Sequence, residues 1–173
     1  MKGRRMRLPL LIALALSTAP GVAAVVTAAP PLIEAVKNAD DAAVRQLLQE
    51  RVDVNAPDPD GTTALHWAAH RNDGETVDLL IRNGAKTTAT NRYGVTPLAL
   101  AAENGNSAII ERLLVAGADP NGVLPGGETA LMTTARTGDV AVVKTRLAHG
   151  ADVNAQESTR GQTALMWAAA AGN

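Results

Sequence analysis

The chain has 173 residues, 46% apolar and 19% charged, with a net charge of −1, which suits one ordinary domain or a short array with an apolar core. Cysteine is absent, and that excludes a disulfide framework, thiol chemistry and a thiol-linked lipid anchor. Phenylalanine is absent too and aromatics reach only 2%, so the core must be built from Ala, Leu, Val and Ile, small side chains that favour closely stacked helices.

Residues 1–29 stand apart from the rest. Lys2, Arg4, Arg5 and Arg7 make a basic start, Leu8 to Leu16 is an apolar run broken only by Pro9, and small residues follow at Ser17, Ala19, Gly21, Ala23 and Ala24. Basic, apolar, then small is the layout of a secretory signal peptide over residues 1–24. Cleavage is expected after Ala24, or as late as Ala29. An uncleaved anchor is the alternative, but the apolar run is well short of the ~20 residues that span a bilayer. Arg4-Arg5 is a poor match to twin-arginine export. The chain is therefore expected to be exported, periplasmic or secreted, with no membrane attachment after cleavage. Without the four basic residues, 12 Lys and Arg face 17 Asp and Glu, a net charge of −5. An acidic chain with no basic stripe is expected not to bind nucleic acid, where phosphate neutralisation supplies most of the affinity.

From residue 30 onward one cassette recurs. Gly61-Thr62-Thr63-Ala64-Leu65-His66, Gly94-Val95-Thr96-Pro97-Leu98-Ala99 and Gly127-Glu128-Thr129-Ala130-Leu131-Met132 are spaced by 33 residues, and Gly161-Gln162-Thr163-Ala164-Leu165-Met166 follows 34 later. A fixed period of this size signals a solenoid, in which each unit buries its apolar face only against its neighbours. Within a unit, Gly permits a positive φ at the end of a turn, and Thr62 or Thr63 can cap a helix. Ala64, Leu65, Ala68 and Ala69 then make one apolar face. Asn72 closes that helix, as Gly105, Gly138 and Gly172 do later. A second helix presents Val77, Leu80 and Ile81 and ends at Gly84, matched by Gly117 and Gly150. A polar stretch such as Ala151-Asp152-Val153-Asn154-Ala155 runs out to a tip rich in Asp, Pro and Gly. The unit reads as helix, turn, helix, finger.

These residues resemble the ankyrin repeat family. Thr63-Ala64-Leu65-His66-Trp67-Ala68-Ala69, Thr96-Pro97-Leu98, Leu113-Leu114, Gly117-Ala118-Asp119 and Gly150-Ala151-Asp152-Val153-Asn154-Ala155 carry the likeness over residues 30–173. The fold expected is an all-α solenoid of helix–turn–helix units with β-hairpin-like fingers, the units being about 30–60, 61–93, 94–126, 127–160 and a partial 161–173. The first unit departs from the pattern. Leu32, Ala35, Val36, Val44, Leu47 and Leu48 keep its apolar positions, but Ala39 and Arg51 replace its glycines and Pro30-Pro31 its Thr-Pro. Pro31 can open a helix, and Glu34 and Lys37 suit a water-facing cap. Thr133-Thr134 weakens the inner face of the fourth unit, and the extra residue before Gly161 should lengthen a tip. Leu165, Met166 and Trp167 have no second helix after them, so a longer protein with further repeats is expected.

No reactive centre emerges. His66 and His70 are spaced i, i+4, but a zinc site needs three or four ligands; the resemblance gives His66 a loop-tying role. Asp53, Asn55, Asp58 and Asp60 gather at one finger without the calcium-loop spacing. Ser107 sits at a helix start, where capping is its commonest role. No nucleophile elbow or phosphate loop is present, and no metal or cofactor is expected. Trp67 and Trp167 hold equivalent positions where the family usually has Leu, so packing is their first role and contact with a partner their second.

The resemblance implies a non-catalytic module that binds protein partners. In the family, contacts come from finger tips and from variable positions on the first helices. Here those tips are Asp58, Asp60, Asn91, Arg92, Tyr93 and Arg160, and the helix positions are Trp67, His70, Arg71, Leu100, Glu103, Asn104 and Arg136. Two other readings are an accessory region of an enzyme whose catalytic domain follows the repeats, and an effector secreted into a host.

Overall fold

Six of the described helices begin with a short polar side chain that accepts one of the first free amides, while the first helix opens on Pro30 with no side-chain cap. In the computed structural model, which describes residues 29–123 and 126–173, nine α-helices are seen: α1 Pro31–Lys37, α2 Asp41–Gln49, α3 Ala64–His70, α4 Gly74–Arg82, α5 Pro97–Glu103, α6 Ser107–Val115, α7 Ala130–Thr137, α8 Val140–Ala148 and α9 Ala164–Ala171. The expected signal peptide lies outside the described residues. Thr96 accepts the Ala99 amide at 3.1 Å and Thr129 the Met132 amide at 3.3 Å. The second helices are capped by Asp40, Asp73, Asn106 and Asp139 in the same way, at 2.9–3.1 Å. Each such cap contributes about 1 kcal/mol. Ser107 does not cap α6: it is the first helical residue, and Asn106 before it accepts the Ile109 amide.

The chain turns out of each helix through a left-handed residue. Gly105, Gly138 and Gly172 close first helices, and Gly84, Gly117 and Gly150 close second helices. In the opening unit Ala39 (φ 55°) and Arg51 (φ 58°) adopt the same conformation although neither is glycine.

The result is an all-α solenoid. The first helices α1, α3, α5, α7 and α9 form one layer, and α4, α6 and α8 follow one another in the second. Ile33, Leu65, Ala68, Val77, Leu80, Ile109, Ile110 and Leu113 are buried between the layers. One core cluster runs from Leu32 to Ala118 and takes in Val142; a smaller one holds Leu131, Met132, Ala135, Ala151 and Ala164. Polar residues mark the division. Thr134 is buried and turns its hydroxyl back to the Ala130 carbonyl at 2.6 Å. Arg146 occupies the position of Leu80 and Leu113, is 0% exposed, and none of its three guanidinium nitrogens has a hydrogen-bond partner among the described residues.

The fingers are closed by turns more than by strand pairing. Asp58 N–H donates to Thr62 O at 2.9 Å and Asn91 N–H to Val95 O at 3.1 Å. In the last finger Glu157 N–H reaches Gln162 O at 3.0 Å, so the inserted residue widens the tip and leaves the helices in register. Among the described residues the one isolated antiparallel bridge joins Val123 and Thr129. Leu165 and Met166 on α9 are 77% and 54% exposed. Among the described residues no helix is long and apolar enough to cross a membrane.

Candidate functional site

The candidate side chains fall in two sets, one on the finger tips and one on the first helices. At the first tip, Asp58 accepts the amides of Asp60 and Thr62 at 3.2 and 3.0 Å, and Asp60 accepts that of Thr62 at 3.0 Å. Burial, then the hydrogen bond from Asp60, pushes the Asp58 carboxyl up; that same bond, then Thr62, holds Asp60 down at about 2. These carboxylates shape the turn as well as facing solvent.

Asn91 is similarly engaged. Its Oδ1 accepts the amides of Tyr93 and Val95, both at 3.0 Å, and its Nδ2 donates to Thr62 Oγ1 at 3.4 Å. Arg92 donates its backbone N–H to Asp60 O at 2.8 Å, which joins successive tips. The outward groups are Tyr93, 56% exposed, and the Arg92 guanidinium 5.2 Å from its ring centre. Arg160 is exposed on the last tip, where its N–H donates to Glu157 Oε1 at 2.6 Å. Glu157 is itself buried and holds the amides of Thr159, Arg160 and Gln162. Its carboxyl is held at about 2, mainly by the Thr159 hydroxyl. The sequence reading passed over Glu157; its signal was its place in the finger, where earlier units carry Asp58 and Asn91.

His66 supports the tips from below. It is 0% exposed. Nδ1 accepts from the Thr63 amide at 3.2 Å and hydroxyl at 2.8 Å, and Nε2 donates to Val95 O, 29 residues on, at 3.0 Å. Both ring nitrogens are engaged, so His66 and His70 do not form a metal pair. Among the described residues no group of three or more His, Asp or Glu is placed to hold an ion.

On the first helices, Trp67 is half-buried and flanked by two cationic or polar neighbours. Lys37 Nζ stands 4.7 Å from its ring centre, and His70 meets it edge-on at 6.0 Å. Arg136 repeats the contact over Trp167 at 5.9 Å. Leu100 is half-buried against the core and Glu103 is exposed. Arg71 and Asn104 have a structural role that their exposed positions hid. Arg71 Nη1 donates to Lys37 O at 2.8 Å, and Asn104 Nδ2 donates to His70 O at 2.8 Å. Each completes the open carbonyl end of the preceding first helix, so part of its donor capacity is committed within the fold.

A family model described as ankyrin repeats, three copies, matches residues 32–123 and again residues 100–173. The chain belongs to the ankyrin repeat family. It is also similar to neurogenic locus notch homolog protein 2 of Homo sapiens, 47% identical over 55 residues, and to neurogenic locus notch homolog protein 1 of Xenopus laevis, 42% identical over 55 residues. Each match covers 32% of this chain and 2% of the relative, so the chain spans a small part of the length of the curated relatives it matches. Within this ankyrin chain the loop-tying histidine occurs once. The same position holds Ala99, Met132 and Met166 in later units, and Met132 Sδ accepts the Thr129 amide at 3.3 Å in its place.

Proposed function

We propose that this chain is a non-catalytic module that holds a protein partner outside the cytoplasm, in a bacterial periplasm or after secretion, and that neither nucleic acid nor membrane is its target. Ankyrin repeats are protein-interaction modules, and the basic, apolar and small-residue layout of residues 1–24 supports export. The observation that carries the binding reading is the exposed or half-exposed aromatic and charged side chains: Tyr93 with Arg92 on a tip, and Trp67, His70, Glu103 and Arg136 on the first helices. Tyr, Trp and Arg are the side chains that anchor interfaces. A stack already ordered loses little freedom on docking.

Affinity capture from periplasmic extract and culture medium tests this reading. Tyr93→Ala and Arg160→Ala, which remove outward side chains without touching the helix-end bonds of Arg71 and Asn104, are expected to weaken capture at least tenfold between them. Capture unchanged by both overturns the surface assignment. A tagged chain retained in the cytoplasm overturns the location.

A further inference from the structure

The units are not tied equally to one another. A side chain of a later unit holds the open carbonyl end of α1, α3 and α7. Arg71 reaches Lys37 O at 2.8 Å, Asn104 reaches Ala69 O and His70 O at 3.3 and 2.8 Å, and Asn173 reaches Ala135 O and Arg136 O at 3.2 and 3.0 Å. Thr137 stands where Arg71 and Asn104 stand, but its hydroxyl donates to Thr134 O of its own helix at 2.9 Å. Among the described residues the end of α5 has no such tie. The bond from the Arg92 N–H to Asp60 O has no counterpart here either, because Pro125 takes the place of Arg92 in the sequence and carries no N–H.

The core is polar at the same step. In the first unit Ala35, Ala43 and Leu47 border a hollow on the face turned away from the stack. Thr134, Val142 and Arg146 hold those positions in the fourth unit, so they face the third. Where Thr134 and Arg146 stand, the earlier layers have Ala68 and Leu80, then Ala101 and Leu113. Thr134 and Arg146 are both 0% exposed. Burying a charge without an acceptor is costly, and water relieves that cost if the two units part. The second-helix side of the step is held. Asn121 donates to Gly150 O at 3.1 Å and accepts the Asp152 amide at 2.7 Å, Glu111 pairs with His149 at 3.2 Å, and Val142 packs into the longer core cluster.

We propose that the stack has a hinge between its third and fourth units. The first-helix side opens between α5 and α7, the Arg146 guanidinium meets water, and α7, α8 and α9 turn as one body about the contacts of Asn121 and Glu111. Such an opening is sub-global and lies below complete unfolding in free energy. Trp67, His70 and Tyr93 belong to one body and Arg136 and Arg160 to the other, so opening changes their separation. A protein partner that touches both sets selects one angle. The hinge itself does not rest on that binding reading.

The chain has no cysteine, so a single introduced thiol reports its own exposure. Thr134→Cys and Ala101→Cys place it at equivalent buried positions on α7 and α5, and Val142→Cys places it beside the pivot. With excess thiol reagent under native conditions, Thr134→Cys is expected to be modified about tenfold faster than either of the others, at a rate that dilute urea barely changes, since a hinge exposes little surface. Adding Arg146→Leu, the residue of position 113, or Thr137→Asn, the residue of position 104, is expected to slow that modification about fivefold. Tyr93→Ala should leave the rate unchanged even where it weakens partner capture. Equal rates at Thr134→Cys and Ala101→Cys would overturn the hinge, as would a rate that tracks global unfolding in urea or one that neither added substitution slows. Val142→Cys modified as fast as Thr134→Cys would overturn it too, because the units would then separate completely.

Discussion

The Lys37 ammonium lies 4.7 Å from the centre of the Trp67 ring, across the boundary between two units. The same two positions a hundred residues on hold Arg136 and Trp167, again with the cation over the ring, at 5.9 Å. Lys37 also pairs with Glu34 at 3.2 Å on its own helix, so removing it tests two contacts at once. A cation over Trp at a partly exposed site contributes about 0.5–1 kcal/mol. A double-mutant cycle of Lys37→Met and Trp67→Leu, read by urea unfolding, isolates the ring contact, because Met keeps the aliphatic stem. The expected coupling is about 0.5–1 kcal/mol. Zero coupling would leave the geometry as proximity without attraction.

How far the sequence reaches follows from the range of each interaction. The layered helices, the caps at Thr96 and Thr129 and the left-handed turns at Ala39 and Arg51 depend on neighbours within a unit, and the 33-residue period exposes them. The bonds from Arg71 to Lys37 and from Asn104 to His70 cross between units and are set by how one layer lies on the next. No periodicity within a unit shows that. Arg146 was hidden for a related reason. A cation in the last turn of a helix ordinarily faces solvent and the open carbonyls, yet here its register is that of Leu113 and it is buried.

Arg146 leads to the largest stability effect. Burial pulls its guanidinium down to about 10, so at neutral pH it still carries its charge in an apolar setting with no partner among the described residues. Replacing a buried charge with an apolar side chain of similar volume stabilises by about 1–4 kcal/mol when the charge is poorly compensated. Arg146→Leu, which restores the residue of the earlier units, is expected to raise the unfolding free energy by about 2–4 kcal/mol. It should also merge the two core clusters into one cooperative transition, since stability in such stacks is a sum of unit and interface terms. Calorimetry checks both. A loss of stability would mean that the guanidinium has an acceptor.

His66 makes the fold sensitive to mild acid. Burial, its largest influence, pulls this histidine below its usual value even though the Val95 carbonyl acts the other way. The unfolded chain therefore takes up the proton first, and stability rises with pH wherever it binds more protons than the native state. The contribution is complete above an unfolded value of about 6.5 and is lost as pH falls below it. The expected slope approaches, at most, about 1.4 kcal/mol per pH unit for one proton. Asp60 and Glu157, both held at about 2, lose their contribution only below the ordinary carboxylate range of about 4. The fall between pH 6.5 and 5 thus belongs to His66. Denaturant midpoints across that interval should fall in the parent chain and stay flat in His66→Leu, which is about 2 kcal/mol less stable at pH 7 for want of its hydrogen bonds. A parallel fall in both would assign the titration elsewhere.

Arg51 and Gly117 close equivalent helices and test one backbone requirement from opposite sides. Both are left-handed, at φ 58° and 89°. An ordinary L-residue in that conformation costs about 1–2 kcal/mol. Glycine avoids the clash but gives up more freedom on folding, which offsets about 0.5–1 kcal/mol. Arg51→Gly is therefore expected to stabilise by about 0.5–1 kcal/mol. Nothing lies within 4 Å of a Cβ added at Gly117, so Gly117→Ala meets no steric obstacle and its cost is conformational alone. It is expected to destabilise by about 1 kcal/mol. Opposite signs in urea unfolding confirm that the turn, not a contact, decides both. Equal signs would show that the first unit's turn has adapted to its arginine, through the exposed side chain or through the Arg51 N–H bond to Leu48 O at 3.1 Å.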